Sequence, residues 1–224
     1  MESRCRVLAS APMSKPVIIG FPQSSFVWTS RAAANQKGVE YDFKPLAPPA
    51  NKSPEHLALH PWGKVPVFSH GDVTLYETTA ICSYLDTAFE GPSLQPSDPA
   101  ELARMHQWVS ITNCYLYPVA VPRFLLQYVF PSGPGGAPNR EVIDAAVPEI
   151  RKTLEVLDAG LGSSQWLCSG DTPSVADLFV GPFLFSLPGF PEGGKLMEGL
   201  DNLARLRGQL AQTPSFISVA PPQG

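Results

Sequence analysis

The sequence predicts an α/β domain followed by an all-α domain, and three observations carry that expectation. Short apolar or alternating runs that read as strands are found at 16–20, 39–43, 66–69 and 73–75, all in the first part of the chain. A Pro/Gly/Ser-rich stretch at 90–98 then breaks the pattern and reads as a linker. Everything beyond it lacks strand alternation and carries long helical stretches instead. The 224 residues suffice for two modest domains with real cores. We place them at 15–91 and 99–218, with 1–14 as a disordered extension.

In chain order, Pro16-Val17-Ile18-Ile19-Gly20 is an apolar run closed by glycine, the pattern of a buried strand. Residues 25–37 suit a helix that Lys37-Gly38 stops. Val39 to Phe43 alternates in the strand manner. A short helix fits 54–59, strands at 66–69 and 73–75 make a hairpin around His70-Gly71-Asp72, and 77–88 is helical. The order is βαβ, short helix, ββα. Past the linker, 99–128 and 139–160 are long helices divided by the Pro/Gly loop 131–138. Pro118 and Pro122 should kink or split the first of them, since proline supplies no N–H to the helix. Helices at 174–187 and 200–211 complete the chain.

Composition removes several classes of function. Hydrophobic residues are 44% and charged residues 16%, which describes a globular chain rather than a disordered one. A net charge of −4 without any Lys/Arg run argues against a nucleic-acid binder. Cys5, Cys82, Cys114 and Cys168 lie far apart with no metal-ligand spacing, so reduced thiols and no metal are expected. No run approaches the roughly 20 apolar residues a membrane span needs. The first residues carry Arg4 and Arg6 but no apolar core for a secretory signal. Their Arg/Ser/Ala content faintly suggests organelle targeting, and Met13 is a second possible start; the expectation is a cytoplasmic protein.

The most informative stretch is His60-Pro61-Trp62-Gly63-Lys64-Val65-Pro66-Val67-Phe68 with Tyr76-Glu77-Thr78-Thr79 beyond it. Proline is normally barred from strands because it lacks the ladder N–H. Pro66 instead opens an apolar run, where a cis bond turns the Val65 N–H and carbonyl outward. Glu77 and Thr78 open the next helix, whose free N–H groups favour anions. Together these features suit a small peptide carrying a free ammonium and a free carboxylate. Further on, Thr172-Pro173-Ser174-Val175-Ala176-Asp177 has capping-box spacing, with Ser174 capping a helix and Asp177 reaching back; the role is structural.

These motifs resemble the glutathione S-transferase superfamily, and the likeness runs from about residue 16 to 217. It implies a thioredoxin-like N-terminal domain that binds glutathione and an all-helical domain that contributes the electrophile site. Under it, Val65 pairs main chain to main chain with the cysteinyl part of glutathione, beside Pro66. Lys64 meets the glycyl carboxylate, with His56 or His60 as possible helpers at that end, while Glu77 and Thr78 take the ammonium and carboxylate of the γ-glutamyl group. Ser24 falls where phi-class members carry a catalytic serine, and Ser25 competes for the role. The omega class has a cysteine at that position, so chemistry through an enzyme thiol is not expected. Ser is also a favoured N-cap residue in its own right.

The resemblance further implies a detoxifying transferase, a homodimer, glutathione as cosubstrate and no permanently bound cofactor or metal. Phe26, Trp28, Trp108, Tyr115 and Tyr117 are candidates for an apolar electrophile pocket, and each fits a packed core equally well. Either tyrosine hydroxyl suits a developing oxyanion. Two other functions stay open: a glutathione-dependent peroxidase or isomerase, and a non-catalytic binding or assembly module on the same fold.

Overall fold

The computed structural model describes residues 14–221, so all but the last residue of the expected 1–14 extension, Cys5 among them, lies outside the described residues. Strands β1 (Val17–Gly20), β2 (Asp42–Pro45), β3 (Val67–His70) and β4 (Val73–Tyr76) form one sheet in the order β2-β1-β3-β4. β1 and β2 run parallel, whereas β1 with β3 and β3 with β4 run antiparallel. Helices α1 (Ser25–Gln36), α2 (Pro54–Leu59) and α3 (Thr78–Ala88) complete a thioredoxin-like domain.

β2 begins three residues later than the alternation at 39–43 suggests. α1 ends in a Schellman turn in which Gly38 (φ 74°) and Val39 donate their N–H groups to Asn35 and Ala34. Val39 therefore belongs to the helix stop, and pairing with β1 starts only at Asp42. The hairpin turn is likewise narrower than expected, because His70 pairs with Val73 as the last residue of β3.

The second domain holds α4 (Pro99–Ile111), α5 (Tyr117–Ala120), α6 (Leu126–Val129), α7 (Arg140–Leu161), α8 (Val175–Ser186), α9 (Gly193–Met197), α10 (Asp201–Ala211) and α11 (Pro214–Ile217). Pro118 and Pro122 act as expected on the first long helix, and they do so through π-helical turns. Thr112–Leu116 and Val121–Leu125 are π-helical, so the helix widens around each proline instead of breaking. The short helices α9 and α11 escape sequence reading because four or five residues show no periodicity.

α1 joins the two domains. One side of it packs on β1 and α3, the other on α8 and α11. Thr29 Oγ1 donates to the Leu178 carbonyl at 2.8 Å and Trp28 Nε1 to the Phe216 carbonyl at 2.8 Å. The linker is anchored by a buried ion pair, Lys37 Nζ to Asp86 Oδ1 at 3.0 Å, and Asp86 also accepts the Leu94 N–H at 2.8 Å. The buried core is continuous from Ile18 and Phe68 to Phe179 and Leu206, so α1 sits at its centre.

Candidate active site

Ser24 is the N-cap of α1, with extended backbone (φ −72°, ψ 126°), and its Oγ accepts the Val27 N–H at 3.4 Å. An accepted hydrogen bond leaves the hydroxyl proton free to be donated elsewhere. The first turn of α1 contains no acidic residue, so nothing offsets the positive end of the helix dipole there. Ser25 is the first residue inside the helix, and Ser24 alone holds the cap.

Gly20 brings the other half of the site to this turn. A Cβ built on Gly20 would overlap the Val27 side chain and lie 3.2 Å from the Val65 Cβ. The bare backbone at the end of β1 is what lets Val65 approach the start of α1. The sequence offered only a strand-ending glycine there. The Val65–Pro66 bond is cis, as is Pro48–Pro49. Among the described residues no hydrogen bond uses the Val65 N–H or carbonyl, which stand just ahead of the first β3 pair at Val67.

The loop leading to Val65 is braced from α2 and from the short turn before it. His56 Nε2 lies 2.7 Å from the Lys64 carbonyl, and Asn51 Nδ2 donates to the Gly63 carbonyl at 2.7 Å. His56 is thus engaged in holding the loop. Lys64 is exposed, and Lys52 Nζ comes within 3.3 Å of the Trp62 carbonyl, so two ammonium groups flank this loop. Sequence reading overlooked Asn51 and Lys52; the only signal was a polar pair directly ahead of the Ser53 cap. His60 is 2% exposed, its Nδ1 has no partner, and its ring tilts against Tyr76 at 4.8 Å. Burial, foremost, pushes its pKa down, against the pull of Glu77.

At the start of α3, Glu77 is the N-cap with φ 69° and ψ 115°, a conformation that side chains rarely adopt. Strain of this kind, of order 1–3 kcal/mol, concentrates at ligand clamps. Glu77 is exposed and its side chain makes no cap bond, leaving the α3 N–H groups without a side-chain acceptor. Thr78 is 5% exposed, and its hydroxyl reaches the Phe26 carbonyl at 3.5 Å, a long and weak bond. That contact joins the beginnings of α3 and α1.

The aromatic residues sort differently from the sequence expectation. Phe26 is half-buried, its ring tilted against Tyr117 at 4.6 Å and near Phe179 at 6.1 Å. Trp28 is 3% exposed and lies between Phe216 and Phe185, serving the domain contact rather than a pocket. Trp108 is 6% exposed and its six-membered ring packs so closely on Gly160 of α7 that a Cβ there would overlap it, which again is core packing. Tyr115 is 64% exposed and touches no other ring of the cluster. The π turn at 112–116 explains the exchange: it resets the helical phase, so Tyr117 and not Tyr115 meets α1. Ser174 and Asp177 take their expected structural places. Asp177 accepts the Ser174 N–H at 2.8 Å, the Ser174 hydroxyl at 2.7 Å and the Leu167 N–H at 2.8 Å.

Two open grooves of about 410 and 460 Å³ lie at the opposite end of α1, around Lys15, Gly38, Val39 and Glu40, and do not include Ser24. No group of three metal-ligating side chains occurs among the described residues. No helix among them is long and apolar enough to cross a membrane.

Two family models match the chain: the glutathione S-transferase N-terminal domain over residues 18–87 and the glutathione S-transferase C-terminal domain over 140–216. Glutathione S-transferase 3 of Zea mays is 32% identical over 71% of this chain and 72% of its own length. Probable glutathione S-transferase GSTF1 of Oryza sativa subsp. japonica is 29% identical over 95% of this chain and 100% of its own. Among solved structures, a theta class glutathione S-transferase from Xanthomonas axonopodis pv. citri with glutathione bound superposes with a TM-score of 0.81. It is 26% identical, covering 93% of this chain and 98% of that one. A glutathione S-transferase-I structure with lactoylglutathione gives 0.79 at 27% identity, covering 92% and 99%.

Proposed function

The chain belongs to the glutathione S-transferase family and is phi-like, and from that premise we propose that it joins glutathione to an apolar electrophile through a thiolate stabilised by Ser24. The observation that supports Ser24 is its free hydroxyl proton at a helix start bare of acidic residues. A thiol of pKa about 8.5 is mostly protonated at neutral pH. Lowering that value by about two units takes about 2.7 kcal/mol of preference for the anion. A hydrogen bond to a charged acceptor supplies about 1.5–3 kcal/mol, and the helix end adds about 0.3–1 kcal/mol. The two suffice. Ser24 thereby acts as a donor to the reacting sulfur, and the nucleophile is the cosubstrate's own thiolate.

The rest of the tripeptide follows the unpaired groups of the site. Its cysteinyl main chain pairs with Val65 beside Pro66, and its γ-glutamyl end meets Thr78, the α3 N–H groups and Glu77. Its glycyl carboxylate lies by Lys64, with Lys52 as a second cation. We also propose a detoxifying role, a cytoplasmic location and a homodimer. Exposed Trp62, at 63%, with Leu57 and Leu59 beside it, supports a partner face next to the site.

The deciding experiment measures turnover and the bound thiol's pKa, from its ultraviolet thiolate absorbance, in Ser24→Ala and Ser25→Ala. The reading expects loss of both turnover and the lowered pKa in Ser24→Ala alone. Unchanged values in that variant would remove Ser24 from the role.

A further inference from the structure

We infer that Trp28 is a positioning residue for the reaction: its indole ties the first turns of α1 to the C-terminal helix α11, and this tie between the domains fixes where the Ser24 hydroxyl stands against the bound sulfur. The inference deepens the Ser24 reading and rests on it. Its first support is how loosely Ser24 is held by its own side chain. The Oγ bond to the Val27 N–H is 3.4 Å long, near the limit of a hydrogen bond. The Ser24 backbone is held more firmly, by its N–H on the Phe21 carbonyl at 3.0 Å and by the Trp28 N–H on its own carbonyl at 2.9 Å. Residue 28 therefore closes the turn that begins at Ser24. Helix ends held only by local bonds fray, so whatever anchors residue 28 also steadies residue 24.

Its second support is the anchor. Trp28 is 3% exposed, and its indole N–H donates at 2.8 Å to the carbonyl of Phe216, a residue 188 positions away in the chain. α11 is a single turn, so its last carbonyls find no partner within the helix, and the indole caps one of them. The ring is fixed as well, stacked on Phe216 at 4.6 Å and edge-on to Phe185 at 5.6 Å. Phe216 is fully buried against Gly181 of α8, where a Cβ would overlap its ring. Burial alone does not bring an indole a partner here: the equally buried Nε1 atoms of Trp108 and Trp166 have none among the described residues.

Its third support is place. Asn35 also bonds to this end of the chain, with Nδ2 3.3 Å from the Ser218 hydroxyl, but it lies about three helical turns from Ser24. Trp28 lies one turn away. A donor strengthens the thiolate only within hydrogen-bond reach, and a misplacement on the order of 1 Å costs up to about 100-fold in rate. Trp28 itself is buried between domains, away from the groups proposed to hold the tripeptide, so its effect falls on the sulfur and not on peptide affinity.

The test compares the unaltered protein with Trp28→Phe and Asn35→Ala. Phenylalanine keeps a ring beside Phe216 and Phe185 and removes the N–H. The readouts are the bound glutathione thiol's pKa from its ultraviolet absorbance, kcat on benzyl chloride across pH, and calorimetric titration of S-methylglutathione, which has no thiol to ionise. Trp28→Phe is expected to raise the thiol pKa and lower kcat about 10-fold near pH 7, with S-methylglutathione affinity retained. The lost rate should return above about pH 9, where the thiol ionises unaided. Asn35→Ala should change neither pKa nor kcat. An unchanged thiol pKa in Trp28→Phe, a rate loss that stays constant across pH, or an equal shift in Asn35→Ala overturns the proposal. Should Trp28→Phe not fold, Phe216→Leu takes its place: it keeps the accepting carbonyl and withdraws the ring that seats Trp28. The same rise in thiol pKa is expected there, and an unchanged value overturns the proposal. An effect of Ser24→Ala without one of Trp28→Phe removes this inference alone. An unaltered protein that binds no S-methylglutathione removes the underlying reading, and this inference falls with it.

Discussion

α1 and α8 both begin at a serine, and the difference between the two caps separates a proposed site from a scaffold. At α8 the residue three positions on is Asp177, fully buried, and its carboxylate takes the Ser174 N–H, the Ser174 hydroxyl and the Leu167 N–H. The proton of that serine is consumed inside the protein. At α1 the corresponding residue is Val27, which offers only its N–H, and the Ser24 hydroxyl keeps its proton. An apolar residue in place of an acid also leaves the positive helix end unopposed. The same capping chemistry is closed on itself in one domain and open to an anion in the other.

The strongest way to break this comparison is Asp177→Ala. It strands three donors in a buried place, and we expect a loss on the order of 3–5 kcal/mol in urea unfolding. A loss under about 1 kcal/mol would mean that the box does not hold α8.

A related effect concerns pH. Burial, outweighing the three donors, raises the Asp177 pKa from 3.8 to about 6. A carboxyl with a raised folded-state pKa adds stability that is fully present below about pH 4 and lost as pH rises through about 6. The difference in unfolding free energy between the unaltered protein and Asp177→Asn should therefore shrink by up to about 3 kcal/mol between pH 4 and 7, then level off. A difference that grows over that window would reverse the assignment.

Ser24→Ala should do the opposite of Asp177→Ala, sparing the fold and harming the chemistry. Turnover should fall roughly 10- to 100-fold, matching the loss of about 1.5–3 kcal/mol of thiolate stabilisation. The smallest effect sharpens the contrast. At 3.4 Å the Val27 bond is long, so Ser24→Ala should lower thermal stability by only about 0.5–1 kcal/mol. A stability loss as large as that of Asp177→Ala would erase the distinction between the two caps.

Much of the fold was legible in the sequence because its signals are local. The Ser24 and Ser174 caps, the Lys37-Gly38 stop and the Pro/Gly linker each act over a few residues. The β2 boundary was misplaced because alternation at 39–43 cannot show that Val39 is already bound to the end of α1. The backbone features of the proposed site were legible where motif and local structure coincide: the Ser24 cap, the cis Val65–Pro66 bond and the helix start at Glu77 and Thr78. It was not legible where packing decides. Trp28 and Trp108 are apolar residues on helices, and nothing in their spacing tells an open pocket from a core. Lys52 joins Lys64 only because the 50–65 segment folds back on itself.

What the sequence determined by itself was the order of elements and the chemistry at each helix end, because capping groups bond to neighbours three or four residues away. What only the tertiary structure decided was which groups meet. The bare Gly20 admits Val65 to the start of α1, and a π turn swings Tyr117 rather than Tyr115 onto Phe26. Such encounters join residues far apart in the chain, and their geometry is set by close packing, which no local pattern of residues records.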